Sequence, residues 1–510
     1  MLVKTFGCAI IGINAIIVTI EVNSEKGIQF FLVGLPDNSV KESQQRIMAS
    51  LSNLGYKFPK KRLTINMAPA DIRKEGAAYD LPLAVGVMAV SNQVDAALLE
   101  RYVIMGELSL DGTVNPIKGV LPMAIKAKEQ GFKGIIIPKE NAREAGIVDG
   151  IEVIGVEDLS QVVDFLNGQK CIEPERIDMD SLAQEDVYAF DFQDVKGQEN
   201  IKRALEIAAA GSHNVLLIGS PGSGKTMLAK RLPSILPPMT LAEALETTKI
   251  HSVAGLMGRN KTLLVTRPFR SPHHSISDAG LCGGGSFPQP GEISLAHNGV
   301  LFLDEVPEIQ RHTLEILRQP MEDRVITISR AKMSVQFPAN FMLVAAMNPC
   351  PCGYYNHPDR ECVCKPGEVQ KYLNKISGPL MDRIDLHVEV LPVPYDQLSD
   401  SRRGEPSAEV RKRVVKARKI QEERYKNYPG IHSNAQMTSQ LLQKYCVLDA
   451  AGQEALRNAM RRLGLSARAY DRILKVARTI ADLDGSDRIE LGHLAEAINY
   501  RSLDRDNWGC

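Results

Sequence analysis

The sequence predicts an α/β protein with three parts: an N-terminal α/β domain, a core built on a phosphate-binding loop, and a C-terminal helical region. Three observations predict it. The apolar run Val215-Leu-Leu-Ile218 leads into Gly219-Ser-Pro-Gly-Ser-Gly-Lys-Thr226, which satisfies every position of G-x-x-x-x-G-K-[ST] between a strand and a helix. A second apolar run, Val300-Leu-Phe-Leu303, ends in Asp304-Glu305 and reads as a strand buried in a parallel sheet. Beyond residue 396 the pattern turns helical, with Ile473, Val476, Ala477 and Ile480 on one face.

In chain order, residues 1–170 alternate between strands, as at 29–33, 62–65 and 134–138, and helix, as at 40–54. Lys4 and the apolar stretch 8–20 superficially imitate a signal peptide. The stretch is rich in β-branched residues, is broken by Gly12-Ile13-Asn14 and lacks a small-residue cleavage site, so two strands around a turn are expected. No apolar run is long enough to span a bilayer, and the chain reads as cytoplasmic with no membrane partner. Residues 171–189 are acidic, polar and without periodicity, which makes them a linker. The core follows at 190–395 and the helical part at 396–510. The 510 residues carry 61 Lys plus Arg and 61 Asp plus Glu, so binding to nucleic acid must come from local patches.

The chemistry sits in the core. Gly219, Ser220, Pro221, Gly222, Ser223 and Gly224 form a loop whose backbone N–H groups wrap phosphates; Lys225 reaches the β/γ-phosphates and the Thr226 hydroxyl ligates Mg²⁺. The ligand is ATP or GTP. Asp304 is placed to hold Mg²⁺ through water, and Glu305 to polarise the water that attacks the γ-phosphate. A third apolar run, 342–347, ends in Asn348, an amide able to position the same water, although an Asn before Pro349 is also an ordinary turn residue.

Between these strands, 324–329 and 333–337 alternate as a hairpin with Arg330-Ala-Lys332 at its tip, either a phosphate-contacting tip or a solvated turn that merely carries charge. The segment 267–290, with Gly283-Gly-Gly285, is too irregular for a core element and is expected to be a mobile loop. There Arg267, Arg270, His273 and His274 either contact phosphates or satisfy local backbone groups. The charged segment 402–426 reads as a solvated helical face without a role. Four of nine cysteines crowd into one loop as Cys350-Pro-Cys352 and Cys362-Val-Cys364, the donor set of a structural Zn²⁺ site, with His357 or Asp359 able to replace a weak ligand; free thiols are the alternative.

With these motifs in place, the chain resembles the AAA+ ATPases, in particular their magnesium-chelatase-like YifB/ComM branch. The likeness is carried by Asp194-Val-Lys-Gly-Gln-Glu199, His213-Asn-Val-Leu-Leu-Ile-Gly219, Arg267-Pro-Phe-Arg-Ser-Pro-His-His274, the stretch from Pro290 to Val300, and Ser377-Gly-Pro-Leu-Met-Asp-Arg-Ile-Asp385. It implies ATP as the nucleotide, and Asp194–Glu199 (194–199) as the segment near the adenine. Arg383 corresponds to an arginine finger acting on a neighbouring subunit, which implies a homo-hexameric ring, and Arg468 to the second sensor of the helical lid, with Arg472 the other candidate. The hairpin resembles the pore hairpin of ring helicases, so Arg330 and Lys332 would contact DNA backbone phosphates. In the first domain, the stretches 66–76, 79–84 and 106–114 are similar to the proteolytic domain of Lon proteases, but the positions of the Ser–Lys dyad hold Leu83 and Met123, which cannot serve as nucleophile or base. The resemblance implies an ATP-driven motor on single-stranded or branched DNA, in recombination or DNA uptake. The alternative is a chelatase-type ATPase that remodels a protein partner.

Overall fold

The computed structural model describes residues 1–177, 188–258, 262–285, 288–330, 333–394, 397 and 404–501. Lys332 lies outside the described residues. The chain divides into two compact units, Met1–Glu185 with Leu241–Val265, and Asp186–Thr240 with Thr266–Cys510.

The first unit is built on a seven-stranded mixed sheet. Its strands are β1 (Leu2–Ile11), β2 (Asn14–Glu25), β3 (Phe30–Val33), β4 (Arg62–Ala68) and β5 (Tyr102–Ile104), then β8 (Gly134–Pro138) and β9 (Glu152–Val156), with a small β6 (Glu107–Leu108) and β7 (Val114–Asn115) pair apart. The sheet order is β3-β4-β2-β1-β5-β8-β9. The stretch that imitates a signal peptide is the antiparallel hairpin of β1 and β2. Ile11 pairs with Asn14, leaving a two-residue turn in which Gly12 takes φ +64°, a conformation a side chain would strain. The expected helix at 40–54 is two helices, Asn38–Lys41 and Ser43–Asn53. Ser43 Oγ donates to the Val40 carbonyl (2.6 Å), a local bond that competes with the helical ladder at the break. Leu83 and Met123, at the two dyad positions, are both buried in the hydrophobic core of this unit, which leaves no nucleophile or base there.

The helix Leu241–Ala254 follows the phosphate-loop region in the chain yet packs with the first unit, against the helix Val120–Glu129. The Gly119 N–H donates to the Ser252 carbonyl (3.1 Å). Ser252 Oγ donates to the buried Glu144 carboxylate, which also accepts from the Leu121 N–H (3.0 Å).

The second unit holds a five-stranded parallel sheet. Its strands are β10 (Val215–Gly219), β11 (Phe269–Arg270), β14 (Val300–Leu303), β17 (Met342–Met347) and β18 (Leu386–Val390), in the order β11-β14-β17-β10-β18. Every residue of β10, β14 and β17 is buried, as near-continuous apolar runs in a parallel sheet require. The helical region 404–501 shares one hydrophobic core with this sheet. Its helix Ala467–Asp484 buries Ile473, Val476, Ala477 and Ile480 on the expected face and is closed by a Ser466 cap and by Gly485 at φ +71°.

The hairpin β15 (Val325–Arg330) and β16 (Met333–Pro338) pairs Arg330 with Met333 at its distal end. Ile326, Ile328, Val335 and Phe337 are buried along it, and Arg330 is exposed.

The segment 267–290 differs from the expected mobile loop. It folds into the helix Asp278–Cys282 and the short pair β12 (Gly283–Gly284) and β13 (Gln289–Pro290), pinned by a bidentate Arg270–Glu292 ion pair with both bonds at 2.6 Å. Arg267 donates to the carbonyls of Pro237 (2.7 Å) and Asn298 (2.8 Å), so both arginines serve the local fold.

The charged segment expected to be a plain solvated face is also more than that. In the helix Ser407–Tyr425, Arg418 donates to the carbonyls of Ala209 (2.9 Å) and Ala210 (3.1 Å) at the end of the helix Glu199–Gly211, and Arg424 pairs with the buried Asp482 at 2.5 Å. Among the described residues, no helix is long and apolar enough to cross a membrane.

Candidate nucleotide site

Because all strands of the second sheet run in parallel, the loops after β10, β14 and β17 leave from one edge, where ligands of open α/β sheets bind. Three motifs meet there. Pro221, Gly222, Ser223, Gly224, Lys225, Thr226, Met227, Asp304, Glu305 and Asn348 line a cavity of about 420 Å³. Gly222 and Gly224 have φ of +78° and +91°, which turns successive N–H groups inward before the helix Lys225–Arg231. Gly219 is required for space: a Cβ there would stand 2.3 Å from the Val390 carbonyl oxygen.

Lys225 is buried and donates to the carbonyls of Gly219 (2.6 Å) and Ser220 (3.0 Å) and to Asn348 Oδ1 (3.2 Å). Burial pushes its pKa down, and the carboxylates of Asp304 and Glu305 partly offset this. Thr226 Oγ1 donates to Asp304 Oδ2 (2.7 Å), so the two oxygen ligands expected for Mg²⁺ are already side by side. The Asp304 carboxylate accepts from the Glu305 N–H (2.9 Å), and Glu305 itself takes φ +50°. That backbone leaves its carboxylate half-exposed, 3.0 Å from His274 Nδ1. Gln198, within the segment assigned to the adenine side, also sits at positive φ and donates to the Ser223 carbonyl (2.9 Å), holding the loop from behind. The His274 contact and the Gln198 tie each join residues far apart in the chain, so neither carries a local sequence signature.

The three arginines lie outside this cavity and differ in their surroundings. Arg383 is only 5% exposed, donating to Glu322 Oε1 (2.6 Å) and the Pro379 carbonyl (2.6 Å). The Arg468 side chain is 59% exposed, with Asp382 at 3.9 Å. Arg472 is instead held at 3.1 Å by the fully buried Asp385, which also accepts from the Asn214 N–H (2.8 Å) and lies 3.7 Å from His213 Nδ1. Burial would raise the Asp385 pKa, but the Arg472 charge and the His213 contact outweigh it and hold the carboxyl well below the usual carboxylate range. Arg472 is therefore tied closely to a buried carboxylate, whereas Arg468 has only the longer contact with the partly exposed Asp382.

The four clustered cysteines converge beside the site. All four Sγ atoms lie within 4.8 Å of one another, with Cys350 buried. His357 and Asp359 bond to each other, Asp359 N–H to His357 Nδ1 at 3.0 Å, and stay outside the sulfur group.

Comparison with known proteins agrees with this architecture. The profile described as magnesium chelatase, subunit ChlI, matches residues 191–398; those of subunit ChlI of Mg-chelatase and of the ChlI C-terminal region match 20–141 and 404–501. Competence protein ComM of Haemophilus influenzae is 46% identical over 501 residues, 98% of this chain and 97% of that protein. The uncharacterized protein YifB of Escherichia coli is 45% identical over 500 residues, 98% of this chain and 96% of that one. Lon protease 2 of Bacillus subtilis is 33% identical over 126 residues, covering 24% of this chain and 22% of the protease. With near-complete coverage at such identity, and with a phosphate loop, acidic strand end and terminal amide gathered at one sheet edge, the chain belongs to the YifB/ComM family of magnesium-chelatase-like AAA+ ATPases.

Proposed function

We propose that this chain hydrolyses ATP and uses the energy to move DNA as a ring-forming motor in recombination or natural transformation. The observation that carries the proposal is the convergence of Lys225, Thr226, Asp304, Glu305 and Asn348 around one cavity, with an exposed Arg330 at the distal end of a hairpin inserted before the Asn348 strand. The residues fit ATP and Mg²⁺: positive-φ glycines to bend the loop, a cation confined by carbonyls, and a hydroxyl and carboxylate in contact. Thr226 and Asp304 would hold Mg²⁺, which would supply positive charge to offset that on the phosphates. In that state Lys225 would turn from the carbonyls of Gly219 and Ser220 towards the phosphates. Glu305, in the cavity lining, is the carboxylate that would take a proton from water, and Asn348 would orient that water from the end of the neighbouring strand. Arg383 of one subunit would complete the site of the next, and Arg468 would act from the lid. The name of the ComM relative supports a role in competence, and the exposed Arg330 supports a phosphate-gripping surface.

The test is the ATPase rate with and without single-stranded or branched DNA, in the parent and in Arg330→Ala. DNA should raise the rate in the parent, and the variant should lose most of that increment along with part of the salt dependence of binding. If DNA neither binds nor stimulates and a protein partner does, the chain is a remodelling ATPase instead.

A further inference from the structure

We infer that Cys350, Cys352, Cys362 and Cys364 hold one Zn²⁺, and that this metal sets nucleotide affinity by fixing the loop that braces the phosphate-binding segment. The inference rests on reading the cavity as an ATP site.

The sulfur geometry argues for the metal. Cys350 Sγ lies 3.3 Å from Cys352 Sγ and 3.7 Å from Cys362 Sγ, and the latter two are 3.5 Å apart. A tetrahedral Zn²⁺ with sulfur at about 2.3 Å would place its ligands about 3.8 Å from one another. A disulfide needs about 2.05 Å, and none of the four cysteines forms one. The Cys352 N–H donates to Cys364 Sγ (3.3 Å), the kind of bond that orients a thiolate ligand. Four sulfurs select Zn²⁺ over Mg²⁺, so this site does not compete with the oxygen ligands Thr226 and Asp304.

Two contacts link the cysteine loop to the nucleotide cavity. Gly353, at φ +84°, packs directly on the phosphate loop: a Cβ there would lie 2.5 Å from Pro221 Cδ and 2.8 Å from its Cγ. Asn348, two residues before Cys350, accepts from Lys225 Nζ at 3.2 Å. One short stretch thus touches the cavity at both ends and is tied at Cys350 and Cys352 in between. Residues 350–364 contain neither helix nor strand, so no backbone ladder holds this stretch in place, and a metal cross-link is the device that would.

The experiment uses the full-length protein purified without chelator. About one zinc per chain is expected by elemental analysis, with four thiols shielded until a mercurial displaces the metal. After removal with a mercurial and chelator, the affinity for a fluorescent ATP analogue should fall about tenfold while far-UV circular dichroism is retained, and Zn²⁺ but not Mg²⁺ should restore it. Gly353→Ala should keep its zinc and still lose affinity, since its methyl group presses on Pro221. Purified protein that contains no zinc and binds none on titration overturns the metal site. Zinc that can be removed with affinity unchanged overturns the coupling. A zinc-loaded protein that binds no nucleotide overturns the ATP reading and leaves the metal site standing.

Discussion

The role proposed for Glu305 would separate binding from hydrolysis. Lys225 and Thr226 belong to the phosphate loop, whereas Glu305 lines the cavity from the end of β14, its half-exposed carboxylate beside His274. Glu305→Gln should therefore retain ATP binding and lower kcat by about 10²- to 10⁴-fold, the usual worth of a positioned base. A variant with normal turnover would remove Glu305 from the reaction. Asp385 shows a different kind of single-residue control. Its carboxyl is held below the ordinary range in the fold, so it contributes stability that is present above about pH 4, where the unfolded group ionises, and is lost as pH falls. Asp385→Asn leaves the Arg472 charge without its buried partner and should cost about 3–5 kcal/mol at pH 7. Melting curves should show a constant gap between parent and variant from pH 7 to about pH 4 and a gap that narrows below it. These cases mark what was legible. Phosphate chemistry dictates residue types at short spacing, so Gly219–Thr226 (219–226) and Asp304-Glu305 could be read directly. The Asp385–Arg472 pair spans 87 residues and has no local signature, which is why Arg472 stood as a sensor candidate.

Elements were legible where burial imposed a period. The runs that became β10, β14 and β17 are apolar because parallel strands are covered on both faces, and the helix Ala467–Asp484 shows the spacing of its buried stripe. Helix Leu241–Ala254 has no such stripe. Thr247, Thr248, Ile250, His251, Ser252 and Val253 are all buried, so its neighbours could not be inferred from a polar face. Its polar anchor is testable through pH. Burial raises the Glu144 pKa, more than its bonds from Ser252, Leu121 and Asn141 lower it. A raised carboxyl favours the folded state below about pH 4.3 and weakens it as pH climbs through the folded-state value. Glu144→Gln keeps an acceptor for the Leu121 N–H and cannot ionise. Relative to the parent, its stability should improve between pH 4 and pH 8, measured by denaturant unfolding; a pH-independent difference would mean that Glu144 stays charged in the fold.

At the scale of the whole molecule, the chain passes between the two units three times, near residues 185, 240 and 265, and the last two passages bracket a helix that chain order alone would assign to the core. Linear reading saw a linker and a core because composition changes at the first passage and at neither of the others. The remaining question of scale is the ring. Within one chain Arg383 is spent on Glu322 and stands outside the cavity lining, so a role in hydrolysis requires a partner copy to present it. Lys225→Ala and Arg383→Ala should each abolish ATPase activity alone. Mixed in equal amounts, the two variants should recover about a quarter of the parent rate. An interface is competent only when an intact Lys225 on one side meets an intact Arg383 on the other, a chance of about one half for each in a closed ring. A merely structural Arg383, serving its own subunit through Glu322, gives no such interface: the Arg383→Ala copies stay inactive, the Lys225→Ala copies cannot bind phosphate, and mixing recovers nothing. Native mass spectrometry of the same mixtures would show that exchange between rings had occurred.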